Sequence, residues 1–278
     1  MTYARPDGLA TFASPPVKAV EIGMAFQPLD FRVTQVNKFI AELSDDLPDV
    51  SEDAPSEARI VRLEESTPEI RFELLDRPPL PRITASSEDG SRQLVLQSDS
   101  VAFRWIRAEG AAYPSYAALR EDFTEMFSRF EELTEDLEGS SIHLAQVHIS
   151  YTNECLVEAD SEADALSRVL RVASNSPESM GGFEPDLVAL RLRKYYRDDP
   201  LVYAALVVNG ASRQMEERRY RVSLRLLFAG NPFLWDGTTE ALQTDDLFRF
   251  WDFGHDEIVD TFTKITRPAF QEEWGLQR

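Results

Sequence analysis

The chain has 278 residues, 43% of them hydrophobic and 10% aromatic, which is ample material for a packed core and excludes a globally disordered chain. Asp and Glu number 49 against 29 Lys and Arg, a net charge of −20 that repels nucleic-acid phosphate and anionic lipid. Duplex nucleic acid and membranes are therefore not expected partners. No apolar run approaches the ~20 residues of a membrane span. The first residues show no basic start followed by an apolar stretch, and a single cysteine cannot close an internal disulfide. The expected compartment is the cytoplasm.

Residues 1–14 read as a flexible tail. An α+β half is then expected over 15–139 and a second over 140–278, with fusion into one domain left open. In PPVKAVEIGMAFQPL, Val20, Ile22, Met24 and Phe26 alternate as in a strand. TQVNKFIAEL (34–43) offers a Thr cap and apolar residues at 36, 39, 40 and 43, which is helical spacing. SDDLPDVSEDAPSE (44–57) is rich in Pro and acid and reads as a loop. Strands are expected near 58–65, 69–75 and 92–106, with a turn-rich loop over 76–91. YAALREDFTEMFSRFEELTEDL predicts a long amphipathic helix that Gly139 punctuates.

The same order returns in the second half. A strand is expected at 142–152, a helix at 160–172 capped by Ser161 or Asp160, and strands near 186–197, 201–208 and 218–229. A closing helical segment over 244–272 should break near Gly254 and Pro268. Strand, helix, three strands, helix thus occurs twice, so an internal duplication is plausible on pattern. The predicted class is α+β, with two similar halves whose antiparallel sheets carry helices on one face.

SIHLAQVHISYTNECLV (141–157) holds two of three histidines and the one cysteine. Its alternation changes phase, and a bulge near Ala145–Gln146 would bring His143 and His148 to one face. At about 3.3 Å per residue the two stay roughly 13–17 Å apart, too far to share a metal ion. They read as partly exposed strand histidines. Cys155, at the expected strand end, lacks a neighbouring His or helix N-terminus to activate its thiol. Asn153 reads as the strand terminator. No CxxC, HExxH, GxSxG, GxGxxG or phosphate-loop pattern occurs, and the acidic run 45–53 lacks calcium-loop spacing. No catalytic residue, metal site or cofactor is assigned.

One charge anomaly stands out. Residues 191–225 hold nine basic side chains against four acidic ones, inside a chain of net −20. Alternation places Arg191, Arg193, Tyr195 and Arg197 on one face of a strand, and Arg219, Arg221 and Arg225 on one face of another. The plainer reading is an exposed sheet face paired with acidic neighbours. The functional reading is recognition of a phosphate, a nucleotide, single-stranded nucleic acid or an acidic protein surface. A third feature is FRFWDFGHDEIVDTFTKI, whose Phe248, Trp251 and Phe253 either close a core or offer a partner-binding patch.

Four segments, PPVKAVEIGMAF, AYPSY (112–116), YTN (151–153) and HDEIVDTF…FQEEWG, together resemble a sporadically distributed prokaryotic family of unassigned function. The resemblance spans about 15–275 and rests on Pro15 and Pro16, Tyr113 and Pro114, and Tyr151 with Asn153. It implies a shared fold and no catalytic set. The expectation is a non-enzymatic component that binds a protein partner, in a bacterial defence or toxin-neutralising setting. The alternative is a binding protein or enzyme for an anionic small molecule or nucleotide on the Arg-rich face, where planar guanidinium forks suit phosphate or carboxylate.

Overall fold

The structure, a computed structural model, describes residues 9–55, 80–135, 142–171, 190–196, 199–213, 218–231 and 244–277. In chain order its elements are β1 (Thr11–Phe12), β2 (Val17–Phe26), α1 (Val33–Glu42), β3 (Asp49–Asp53), β4 (Arg82–Ser86), β5 (Arg92–Gln97), β6 (Ser100–Ile106) and α2 (Tyr116–Glu135). β7 (Leu144–Glu158), α3 (Glu162–Val169), β8 (Leu190–Tyr196), β9 (Asp199–Arg213), β10 (Arg219–Gly230), α4 (Thr244–Ile265), α5 (Pro268–Glu273) and β11 (Leu276–Gln277) follow. The class is α+β, with antiparallel strand pairs and helices, as the alternating and helical periodicities predict.

The chain divides into two compact units, a larger one of Met1–Val20, Glu109–Tyr113 and His148–Arg278, and a smaller one of Glu21–Ala108 and Pro114–Val147. The boundaries between these units fall inside β2 and β7 and at either end of 109–113.

In the smaller unit the strand order is β3-β4-β5-β6, followed by the 21–26 part of β2. Ile22, Met24, Phe26, Leu94, Leu96, Val101 and Phe103 are buried. α2 lays Phe123 on Phe103 at 6.3 Å and Phe130 beside Phe26 at 5.9 Å. Each such side chain taken from water contributes about 1.5–3 kcal/mol. The other face carries the Arg104–Glu21 ion pair. α1 begins one residue before the expected Thr34 cap, and Gln35 Oε1 accepts from the Arg32 backbone N–H at 3.0 Å.

Two expected loops contain strands. Within 44–57, DVSED forms β3 on β4, and Arg82 holds Asp53 at 2.9 Å. Within 76–91, RITAS forms β4, burying Ile83 and Ala85 between turn-rich flanks that hide the alternation. The single expected strand 92–106 is a hairpin of β5 and β6 in which Gln97 pairs with Ser100. Asp99 Oδ1 accepts from Gln97 Nε2 at 2.7 Å, the kind of short-range bond that lets Asp end a strand. The strands expected near 58–65 and 69–75 lie outside the described residues.

In the larger unit the order runs from the 17–20 part of β2 through β7, β10 and β9 to β8. β7 continues to Glu158, beyond the expected end at 152, so Asn153 and Cys155 are interior strand residues. α4 runs unbroken through Gly254, because the missing side chain is where the helix meets the sheet. A Cβ there would lie 2.6 Å from Ile149 Cγ2 and 2.7 Å from Phe228 Cδ1. The break comes instead at Thr266–Arg267, with Pro268 starting α5. A clasp of two arginines secures that break. Arg171 Nε donates to Thr266 O at 2.9 Å, and Arg267 Nε donates to Ser167 O at 2.7 Å.

The tail reading fails for residues 11–14. Thr11–Phe12 pair with Leu276–Gln277, and the Phe12 ring meets Phe262 at 5.7 Å and Trp274 at 6.4 Å. In each half the first strand adjoins the last strand before the long helix, followed by that half's earlier strands. The shared order does not establish a duplication, since strand, helix, meander, helix is a common way to build an antiparallel sheet.

Candidate functional site

β10 divides its residues between two faces. Tyr220, Val222, Leu224, Leu226 and Phe228 are buried on the side of α4. Arg219 and Arg221 are exposed on the other side, and Arg225, half-buried, follows them. Burial on that side deepens along the strand, reaching Leu227 and Ala229, which are buried. β7 shows the same gradient in reverse order, from exposed Glu158 and Leu156 to buried Ser150. Across the two strands Arg221 Nε stands 3.9 Å from Glu154 Oε2, and Arg225 Nη2 donates to Ser150 Oγ at 3.3 Å.

Strand register extends this face. Arg191 and Arg225 are both in register with Val207, one from each side. Two strand spacings separate them, about 10 Å. For Arg191, Arg193 and Tyr195 only the backbone lies among the described residues, and Arg197 lies outside them. Lys194, of opposite parity, reaches Glu257 of α4 at 2.8 Å. The structure therefore brings Arg219, Arg221 and Arg225 together on the side away from α4, with Arg191 in line by register.

A second cluster was not legible as a site in the sequence. Tyr151 of β7 places its hydroxyl 2.9 Å from His255 Nδ1 on α4, and 3.3 Å from the hydroxyl of Tyr113. All three belong to the larger unit. A Tyr151 hydroxyl that donates to Nδ1 requires the Nε2–H tautomer of His255. Nε2 in turn lies 4.0 Å from Asp256 Oδ1, and both side chains are buried. Burial pushes the Tyr113 phenol up to about 12, against a smaller lowering by its bond to Tyr151. The Tyr113 phenol therefore keeps its proton at neutral pH. The signal that could have found the cluster was the convergence of the short segments: AYPSY supplies Tyr113, YTN supplies Tyr151, and HDEIVDTF supplies His255 and Asp256.

The other sequence candidates resolve plainly. Cys155 is buried, and its thiol is pushed up to about 12 by burial, with Glu273 and Glu154 adding to the shift. It is therefore a neutral packing group at physiological pH, without the thiolate a nucleophile needs. His148 is buried, where a partly exposed histidine was expected, and His143 precedes the strand. Of the aromatics proposed as a patch, Phe248 and Trp251 are 5% and 1% exposed and meet edge to face at 5.3 Å, so they close the core. Phe253 is half-buried against Phe228 at 5.3 Å. Among the described residues no group of three His, Cys, Asp or Glu side chains is placed to hold a metal ion. Also among them, no helix is long and apolar enough to cross a membrane.

Fold and site together define an α+β protein whose larger unit carries an arginine-bearing sheet face and a Tyr113–Tyr151–His255 chain in which Tyr151 and His255 are buried. No protein-family model matches the chain, and no curated protein matches its sequence.

Proposed function

We propose that this protein works by binding, and that the face formed by Arg219, Arg221 and Arg225 is where it engages an acidic segment of a protein partner. The observation that carries the reading is three arginines on one side of β10, inside a chain of net −20. Arginine suits such a face because its planar fork gives two parallel bonds to a carboxylate and sheds water more readily than an ammonium. Among the described residues Arg221 is paired with Glu154, which stands at 3.9 Å, long for a charge-assisted bond, so a partner's carboxylate can displace it at little loss. The buried thiol of Cys155 supports binding over nucleophilic catalysis.

The test is recovery of partners from the native host with tagged protein, run beside the Arg219→Glu/Arg221→Glu double variant. A stoichiometric partner held by the parent and lost by the variant is the expected result. Recovery of no stoichiometric partner, or equal recovery by both forms, removes the reading. A second reading, a small phosphate-bearing ligand, is favoured by the guanidinium of Arg225 beside the Ser150 hydroxyl. Such a ligand must raise the melting temperature, since a hundredfold excess over Kd stabilises by about 2.7 kcal/mol. No shift with millimolar nucleotides or inorganic phosphate removes this second reading.

A further inference from the structure

The arginine face of the larger unit includes an exposed leucine. Leu156 of β7 is 57% exposed, between Glu154 and Glu158 on the side away from α4. Two cross-strand ties bracket it against β10. Glu154 Oε2 stands 3.9 Å from Arg221 Nε, and the Ala159 N–H donates to Arg218 O at 3.0 Å. Leu156 therefore lies beside the 219–221 stretch, where Arg219 and Arg221 are exposed on the same side. On its other flank Pro16 O accepts from the Glu154 N–H at 2.9 Å, and β2 starts only at Val17. The end of β7 thus runs past β2, which leaves no β2 residue beside Leu156.

A single exposed leucine is ordinary on a protein surface. Two things set this one apart. Among the described residues of the larger unit it is the one large hydrophobic side chain that is exposed. It is also ringed by charge, with Glu154 and Glu158 on its own strand and Arg219 and Arg221 on the next. Both glutamates act on cations of the chain itself, Glu154 on Arg221 and Glu158 on Arg168. An apolar centre inside a charged rim is the arrangement that carries binding energy between proteins, because the rim keeps water from the centre.

We propose that Leu156 is the apolar anchor of this face, and that the acidic partner segment carries an apolar side chain next to the carboxylates that meet Arg219 and Arg221. The inference rests on the reading of this face as the docking site of an acidic segment, and it adds what selects among such segments. Arg219 and Arg221 are two residues apart on one strand, about 7 Å. An extended partner repeats its side chains on one face at the same interval, so carboxylates and an apolar residue at alternate positions reach the arginines and the leucine together. Charge steers the encounter, and the leucine discriminates. An acidic segment without an apolar residue leaves Leu156 in water. An apolar segment without carboxylates strips water from the guanidinium groups and returns no bond.

The test uses two labelled peptides of equal length and charge, one a repeat of Asp-Ser-Leu-Ser and the other a repeat of Asp-Ser-Ser-Ser. In an extended chain the first sets Asp and Leu on one face. Fluorescence polarisation with the full chain should show the leucine peptide binding at least about tenfold tighter, the scale of burying a leucine side chain. Added salt should weaken both peptides and leave their ratio unchanged, since screening acts on the charges alone. Leu156→Ser should abolish the ratio, and Arg219→Glu/Arg221→Glu should abolish binding of both peptides, with circular dichroism showing each variant folded. Equal affinity for the two peptides, or a ratio that survives in Leu156→Ser, overturns the anchor. If that equal binding is still lost in the arginine variant, the acidic-segment reading stands without it. Binding of neither peptide overturns the proposal. So does self-association of the parent that Leu156→Ser abolishes, because the face then belongs to a second copy of the chain.

Discussion

The Tyr151 hydroxyl lies 2.9 Å from His255 Nδ1, joining the middle of β7 to α4 across 104 residues of sequence, in a buried setting. Removing it by Tyr151→Phe leaves a buried imidazole nitrogen without that bond, a cost of about 1–3 kcal/mol. Tyr113→Phe, which removes the longer 3.3 Å contact, should cost less, about 0.5–1.5 kcal/mol. Urea denaturation with unchanged m-values checks both. A larger loss from Tyr113→Phe than from Tyr151→Phe would contradict the assignment of Tyr151 as the central member.

Alkaline pH should weaken the larger unit. The Tyr113 phenol is raised from 10.0 to about 12 and the Cys155 thiol from 9.0 to about 12, both chiefly by burial. In each case the folded state keeps its proton after the unfolded state has lost it. The stability these groups contribute is therefore complete below pH 9 and declines as pH rises from 9 to 12. For Tyr113 the full loss is on the order of 3 kcal/mol. Denaturation midpoints from pH 8 to 11 should fall, and Tyr113→Phe should flatten the decline above pH 10. An equally steep decline in that variant refutes the attribution.

Cys155 should resist thiol reagents at pH 8 while the protein is folded and react fully in denaturant, since only the thiolate attacks and the thiol is held near 12. The comparison is a timed colorimetric thiol assay with and without urea. Rapid labelling of the native protein would show that the thiol is neither buried nor neutral.

Gly254→Ala should destabilise, although alanine is the better helix former by about 1 kcal/mol. The added Cβ meets Ile149 and Phe228 side chains closer than 3.0 Å, which forces α4 or the sheet to shift. Overpacking of this kind costs typically about 1–3 kcal/mol, so the net effect is a loss of up to about 2 kcal/mol. A thermal melt at or above that of the parent would mean that α4 does not approach β7 and β10 this closely.

Trp251→Ala should cost about 3–5 kcal/mol, the range for a large aromatic removed from a core. The ring is 1% exposed. A loss below 1 kcal/mol in urea denaturation would return Trp251 to the surface role that its place in FRFWDF also suggested.

The sequence by itself determined the α+β class and most of the elements, because burial of one face imposes a period of two on β2 and β10 and of 3.6 on α2 and α4. It also exposed the charge anomaly on β10, since alternation alone separates Arg219, Arg221 and Arg225 from Tyr220, Val222, Leu224 and Leu226. β3 and β4 were hidden, as short strands among Pro, Asp and Ser owe their order to the neighbour they pair with rather than to their own composition. Gly254 read as a break for the same reason: its local propensity is poor, and only the closeness of Ile149 and Phe228 explains it. Tertiary structure alone decided that Tyr113, Tyr151 and His255 meet. Their hydrogen bonds join residues that the chain holds 38 and 104 positions apart, and no local periodicity records a contact made by folding two distant segments together.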